Sequence, residues 1–349
     1  MKRLTFAITG SAILALSGCA TAPQEAKKDE PKPVEYAAPA VPGFEAMKIP
    51  ADNPITKAKV ELGHKLYYDK RVSGDQSKAC YSCHVKEKGL TDGLATAVGA
   101  YEAKLTRAAP TMWNVGYIPN LYWDGRSPSL EKQVLGAMAG GNMGCAGKDK
   151  KPSVDECVAR IAEPYKKDFE AAFGPGPVTK ENFAKALGSF MRTIVSTDSA
   201  WFKFRGGDKS ALSEQAQRGY QIFAEKAKCT NCHDGLMLTD NQFHNVGIGM
   251  EASKPDMGRG AISKDEKDTG AFKTPTLLDV SKSGPYFHNG SVKTLEEAVD
   301  LMSNGGKKNK FLDITNLKPA NLTKAEKEDV VAFLKSLDVV YTIAEPTLP

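Results

Sequence analysis

Two short segments dominate the chemistry open to this chain of 349 residues: Cys80-Tyr81-Ser82-Cys83-His84 and Cys229-Thr230-Asn231-Cys232-His233. Each is a C-x-x-C-H box. Two thiols one helical turn apart can add to the two vinyl groups of one haem, and the adjacent His can then ligate its iron. Zinc would need further thiols or imidazoles at suitable spacing, and a thioredoxin-like site needs no His after the second Cys. The boxes therefore predict two haems c, attached through Cys80 and Cys83 and through Cys229 and Cys232, with His84 and His233 as axial iron ligands.

Whether a side chain fills the other axial position separates electron carriers from haems that activate small molecules. Met302 lies eight residues past Thr294, on an amphipathic run from Leu295. With His233 it would give His/Met ligation, although a Met on such a helix is more often core filler. Two further Cys, Cys145 and Cys157, flank a Gly-, Lys- and Asp-rich loop. In an oxidising compartment they would form a disulfide worth about 3 kcal/mol. Two free thiols are the alternative, because sequence alone does not bring their Cα atoms within about 7 Å.

The elements that position these residues occur twice. The boxes lie 149 residues apart, and Leu62-Gly63 and Leu66-Tyr67 before the first resemble Arg218-Gly219 and Ile222-Phe223 before the second. Further on the offset settles at 165, pairing Pro110-Thr111 with Pro275-Thr276, Asp124-Gly125 with Asn289-Gly290, and Leu130-Glu131 with Leu295-Glu296. That is the pattern of a duplicated domain. Strand signals are sparse, whereas Thr294 with Glu297 and Thr323 with Glu326 are capping boxes, the latter opening a helix with Val330, Phe333, Leu334 and Leu337 on one face. The fold class is mostly α, with two cytochrome c-like domains at residues 54–198 and 199–349. At the 165 offset the partner of Met302 is Ala137, which cannot bind iron, and Met138 lies about 100° further round the helix. One haem is expected to be closed and the other open.

The N-terminus reads as a secretory signal over residues 1–18, a charged start followed by an apolar run from Leu4 to Leu16 too short to span a bilayer. Leu16-Ser17-Gly18-Cys19 is similar to a bacterial lipoprotein cleavage box, with Cys19 as the lipidated residue; an ordinary signal peptide is the alternative. Residues 19–53 then form a lipidated, Pro- and Ala-rich tether. This implies a periplasm-facing or cell-surface lipoprotein that touches the membrane only through its anchor. The 47 basic residues exceed the 42 acidic ones by 5 and are scattered along the chain, so nucleic acid is not an expected partner.

Leu62-Gly63 to Asp69, the two boxes, Thr91-Asp92-Gly93, Ala109-Pro110-Thr111, Trp123-Asp124-Gly125-Arg126, Pro285 to Ser291 and Thr294 to Ala298 together resemble the bacterial di-haem cytochrome c peroxidase family, which includes the MauG-type enzymes. The resemblance spans roughly residues 54 to 340. It implies that the His84 haem is the peroxidatic site and the His233/Met302 haem the electron store. It also implies that Trp123 relays electrons between them, and that Arg107, Arg126 and His288 lie around the haems. MauG has Tyr where this chain has Met302. His244 is expected at the surface or behind a ligand, and His64 facing solvent.

The chain departs from the family twice. A distal His would follow Gly99, where Ala100 stands, and an acid/base Glu would precede Met143, where Asn142 stands. Asn orients and polarises but does not titrate, so Tyr101 or a water is left to move protons. Calcium is left open, because the family's interdomain site uses an Asn where Ala108 stands. The leading expectation is a peroxidase that reduces hydrogen peroxide with electrons from a small cytochrome c or copper protein, with homodimerisation left open. The alternatives are a MauG-like oxidase of Trp or Tyr on a partner protein and a non-enzymatic electron-transfer lipoprotein.

Overall fold

The computed structural model describes Met1, residues 34–196 and residues 198–349. The signal segment, Cys19 and the tether as far as residue 33 lie outside the described residues. No helix among those described is long and apolar enough to cross a membrane.

The first half contains helices α1 (Lys57–Tyr68), α2 (Leu130–Ala139), α3 (Val154–Ala162), α4 (Lys166–Phe173) and α5 (Lys180–Met191). The second contains α6 (Ala200–Arg205), α7 (Glu214–Gln221), α8 (Gly260–Ser263), α9 (Leu295–Ser303) and α10 (Lys324–Lys335). Side chains at the starts explain where most of them begin. Thr56, Ser129, Thr179 and Ser213 each accept from the backbone N–H three residues on. Ser153/Glu156, Thr294/Glu297 and Thr323/Glu326 close reciprocal capping boxes. The one sheet among the described residues is a short antiparallel pair, β1 (Phe243–His244) with β2 (Phe272–Lys273), in which Phe243 faces Lys273.

Packing repeats as the sequence does. Helix α1 lies on α5 and α7 on α10, each pair closing at one glycine: a Cβ on Gly63 would collide with the Ala186 carbonyl, and one on Gly219 with that of Asp329. Val330, Phe333 and Leu334 are buried along α10 and Leu337 just past its end, each contributing about 1.5–3 kcal/mol of apolar burial. A tight turn recurs at the 165 offset, held by the bridges Leu121 to Ser127 and Tyr286 to Val292. In it Tyr122 (φ 67°) and Phe287 (φ 68°) both adopt a left-handed backbone that bulky residues avoid.

Two segments differ from expectation. Residues 34–53, assigned to the tether, pack on the body: Val41 is buried and its N–H donates to Tyr117 Oη at 3.2 Å, while the Asn53 amide donates to Glu131 Oε1 and the Lys185 carbonyl. These anchors are single residues without periodicity, so composition concealed them. The tail, assigned to the second domain, returns to the first half, with Val340 N–H donating to the Asp198 carbonyl and Tyr341 Oη to that of Thr193. The described body is accordingly one compact unit, with the duplication inside it.

Candidate functional site

Each C-x-x-C-H box forms a single tight turn, Cys80–Ser82 and Cys229–Asn231, which sets its two thiols side by side with the His beyond them. Burial pushes Cys80 and Cys229 up to about 12, so both are neutral thiols against the wall of a cavity. The imidazoles are fixed in matching tautomers. His84 Nδ1 lies 3.0 Å from the Leu90 carbonyl, and His233 Nδ1 lies 3.0 Å from that of Leu238. A carbonyl only accepts, so Nδ1 carries the proton and Nε2 keeps the lone pair that an iron ligand needs. Leu90 and Leu238 both have positive φ, 60° and 51°, and behind each box a threonine hydroxyl ties the loop down, Thr111 to Gly89 O and Thr276 to Met237 O.

The His84 cavity encloses about 500 Å³ and the His233 cavity about 240 Å³. Met302 lines the second, on α9, whereas Ala137, at the same step of α2 from its cap, lines the first. Met138 also reaches the first cavity from its buried place on α2. Paired thiols, a lone-pair imidazole and an apolar wall fit a haem c in each cavity. Only the second half adds a side chain able to close the other axial position from the equivalent helix step.

Trp123 lines both cavities, and its Nε1 donates to the Ala108 carbonyl at 2.9 Å. The same wall contains Pro110, Thr111, Pro275 and Thr276, the segments matched in the duplication. Lys273 completes it: its N–H donates to the Trp123 carbonyl, and its Nζ donates to that of Asn120 at 2.9 Å. Burial pulls the Lys273 ammonium down to about 8. His288 lines the second cavity alone, stacked 3.6 Å from Phe272, and burial pulls it down to about 4, leaving the ring neutral at pH 7.

Arg107 and Arg126 line the first cavity and share Asp124. Arg107 also grips Asp256 of the second half through Nε and Nη2 at 2.7 and 2.8 Å. Asn142 lines the first cavity, and among the described residues its side-chain amide bonds no other protein group. Its backbone carbonyl accepts from Ala100 N–H. The loop behind it is closed by a disulfide between Cys145 and Cys157.

Two expectations are corrected here, those for Tyr101 and His64. Tyr101 is exposed and outside the cavity lining, because a left-handed backbone (φ 56°) turns it outward beside Asp75. His64 does not face solvent: it is half-buried, stacked 4.8 Å from Phe190, and its Nε2 is buried without a partner among the described residues. His244 lies behind a ligand, as expected: it is half-buried at the second cavity, Asp240 and Asp313 take its two nitrogens at 2.9 and 2.6 Å, and Asp240, the Cys232 sulfur and Asp313 raise it above its ordinary value. Sequence reasoning passed over Tyr122, Lys273 and Asp256. The first two were accessible through the 165 offset, which pairs Tyr122 with Phe287 and Lys273 with Ala108; nothing local marked Asp256.

Known proteins share sequence and fold with this chain. The family described as di-haem cytochrome c peroxidase matches residues 57–210, and cytochrome c matches residues 216–338. A cytochrome-c peroxidase of Denitromonas iodatirespirans, IdrP1, is 34% identical, covering 96% of this chain and 95% of its own. The methylamine utilization protein MauG of Methylorubrum extorquens is also 34% identical, over 97% and 93%. The crystal structure of a MauG-like protein associated with microbial copper homeostasis superposes with a TM-score of 0.80 at 31% identity, over 89% of this chain and 98% of that one.

Proposed function

Because this chain belongs to the di-haem cytochrome c peroxidase family, we propose that it reduces hydrogen peroxide to water with electrons from a small cytochrome or copper protein. Each peroxide takes two electrons and two protons and leaves as two waters. The observation that carries the reading is the asymmetry of the repeated cavities, Met302 in one and Ala137 at the same step of the other. Haem c, when bound, supplies the redox-active iron, open to peroxide only where no protein ligand closes it. His84 and His233 hold the two groups, and Trp123 fills the wall between them with an oxidisable indole. Arg107 fixes the Trp123 turn against the second half through Asp124 and Asp256.

Steady-state consumption of peroxide by the holoprotein with reduced cytochrome c tests this reading, and no consumption above free haem would end it. The replacement of the family's distal His by Ala100 favours a second reading, a MauG-like oxidase acting on Trp or Tyr of a partner protein, whereas Asn142 in place of its Glu favours an electron carrier. A peroxide-dependent mass change on the partner would identify the oxidase. The protein is further proposed to act from the periplasmic face or the cell surface through a lipid on Cys19, which predicts palmitate labelling that Cys19→Ser abolishes.

A further inference from the structure

Of the two side chains the sequence places near the first cavity's proton chemistry, Asn142 does not titrate and Tyr101 faces away. Besides the box thiols and His84, the titratable side chains lining that cavity are Arg107, Tyr122, Asp124, Arg126 and Lys273. Four of the five are held among themselves or on the Asn120 carbonyl. Only Tyr122 hydrogen-bonds α2, the helix that carries Ala137: its hydroxyl donates to the Gln133 carbonyl at 3.1 Å, and a Cβ on Gly136 would stand 3.1 Å from the same oxygen. The duplication isolates what the hydroxyl adds. Phe287 holds the same turn with the same backbone and no hydroxyl, so the fold requires an aromatic ring there and not a phenol. The Arg126 guanidinium lies 3.5 Å over the Tyr122 ring and its side chain is 43% exposed. A positive charge that solvent can reach therefore faces any negative charge left on the phenol.

We propose that Tyr122 is the proton donor of the first cavity, a catalytic residue that stands in for the missing Glu. The proposal rests on the peroxidase reading. When the O–O bond breaks, the two electrons come from the donor protein. The outer oxygen keeps its hydrogen, takes the Oη proton of Tyr122, which gives up its bond to the Gln133 carbonyl, and leaves as water. The inner oxygen keeps its own hydrogen, takes a proton from solvent and leaves as the second water. The phenolate, stabilised by Arg126, is reprotonated from solvent. Burial pushes the Tyr122 phenol up, so at pH 7 it has its proton to give.

Tyr122→Phe recreates the Phe287 arrangement and is expected to fold and bind both haems. Fluoride titration of the oxidised holoprotein reads hydrogen-bond donation in the cavity without turnover, and its affinity should fall about tenfold in the variant. Peroxide consumption should fall at least about a hundredfold, and adding Asn142→Glu to Tyr122→Phe should restore most of it. Wild-type fluoride affinity and rate in Tyr122→Phe would overturn the proposal, as would a wild-type protein that binds no fluoride. A wild type that binds fluoride but consumes no peroxide would instead overturn the peroxidase reading, leaving the fluoride comparison to judge whether Tyr122 donates.

Discussion

Replacing Arg107 with Met should loosen the joint between the two halves of the body. The guanidinium reaches Asp124 at 2.7 Å and holds Asp256 with two bonds of 2.7 and 2.8 Å, and its side chain is only 18% exposed. At these distances each pair attracts by about 6 kcal/mol with an effective dielectric constant of about 20, most of it offset by desolvation. Removing one partner of a buried pair costs about 3–5 kcal/mol, and the 29% exposure of the Asp256 side chain moves this pair toward the lower end. Because Asp124 keeps Arg126 at 2.9 Å, the lower end, about 3 kcal/mol, is expected. The pH dependence follows from Asp256. Burial raises its pKa, and the Arg107 bonds with the Gly258 N–H outweigh burial and hold it below the usual carboxylate range. A depressed carboxylate contributes stability above its unfolded pKa of about 3.9 and loses it as pH falls through the folded value. Without Arg107 the carboxyl shifts upward, so the deficit of Arg107→Met should be full at pH 7 and smaller near pH 4. Urea unfolding of the holoprotein at the two pH values measures this. A loss below about 1 kcal/mol, or one equal at both pH values, would mean that Arg107 does not hold Asp256 in this way.

Three further outcomes are expected. Met302→Ala should abolish the thioether-to-iron absorption band at the red end of the oxidised spectrum while leaving both haems attached, and a retained band would move the role to another Met. Trp123→Phe should keep both haem spectra and slow electron transfer from the half-reduced protein in rapid mixing, because Phe keeps most of the packing but loses the oxidisable indole and the Nε1 bond to Ala108; an unchanged rate would reduce Trp123 to packing. Cys157→Ser should cost about 3 kcal/mol in urea unfolding by freeing the loop behind Asn142, with haem content unaltered, and an unchanged midpoint would count against that estimate.

Much of the site was legible because its parts are local in sequence. The boxes and the capping pairs Thr294/Glu297 and Thr323/Glu326 each need only neighbouring residues, and the 165 offset, which compares two local patterns in the same order, alone exposed Ala137 opposite Met302. What escaped depends on long-range contact. Tyr101 and Tyr122 are both tyrosines near glycines, and only the fold turns one outward and lays the other on α2. His64 shares the pre-haem helix with charged residues, and its burial comes from Phe190 on α5, more than a hundred residues away. The anchors at Val41 and Asn53 and the returning tail are single contacts without any period to betray them.

One closed haem and one open haem in the same chain must differ in spin state. Electron paramagnetic resonance of the oxidised protein as isolated is expected to show a high-spin ferric signal from the haem at Cys80 and Cys83 beside a low-spin signal from the haem at Cys229 and Cys232. Two low-spin signals with no high-spin component would contradict this arrangement and favour an electron carrier.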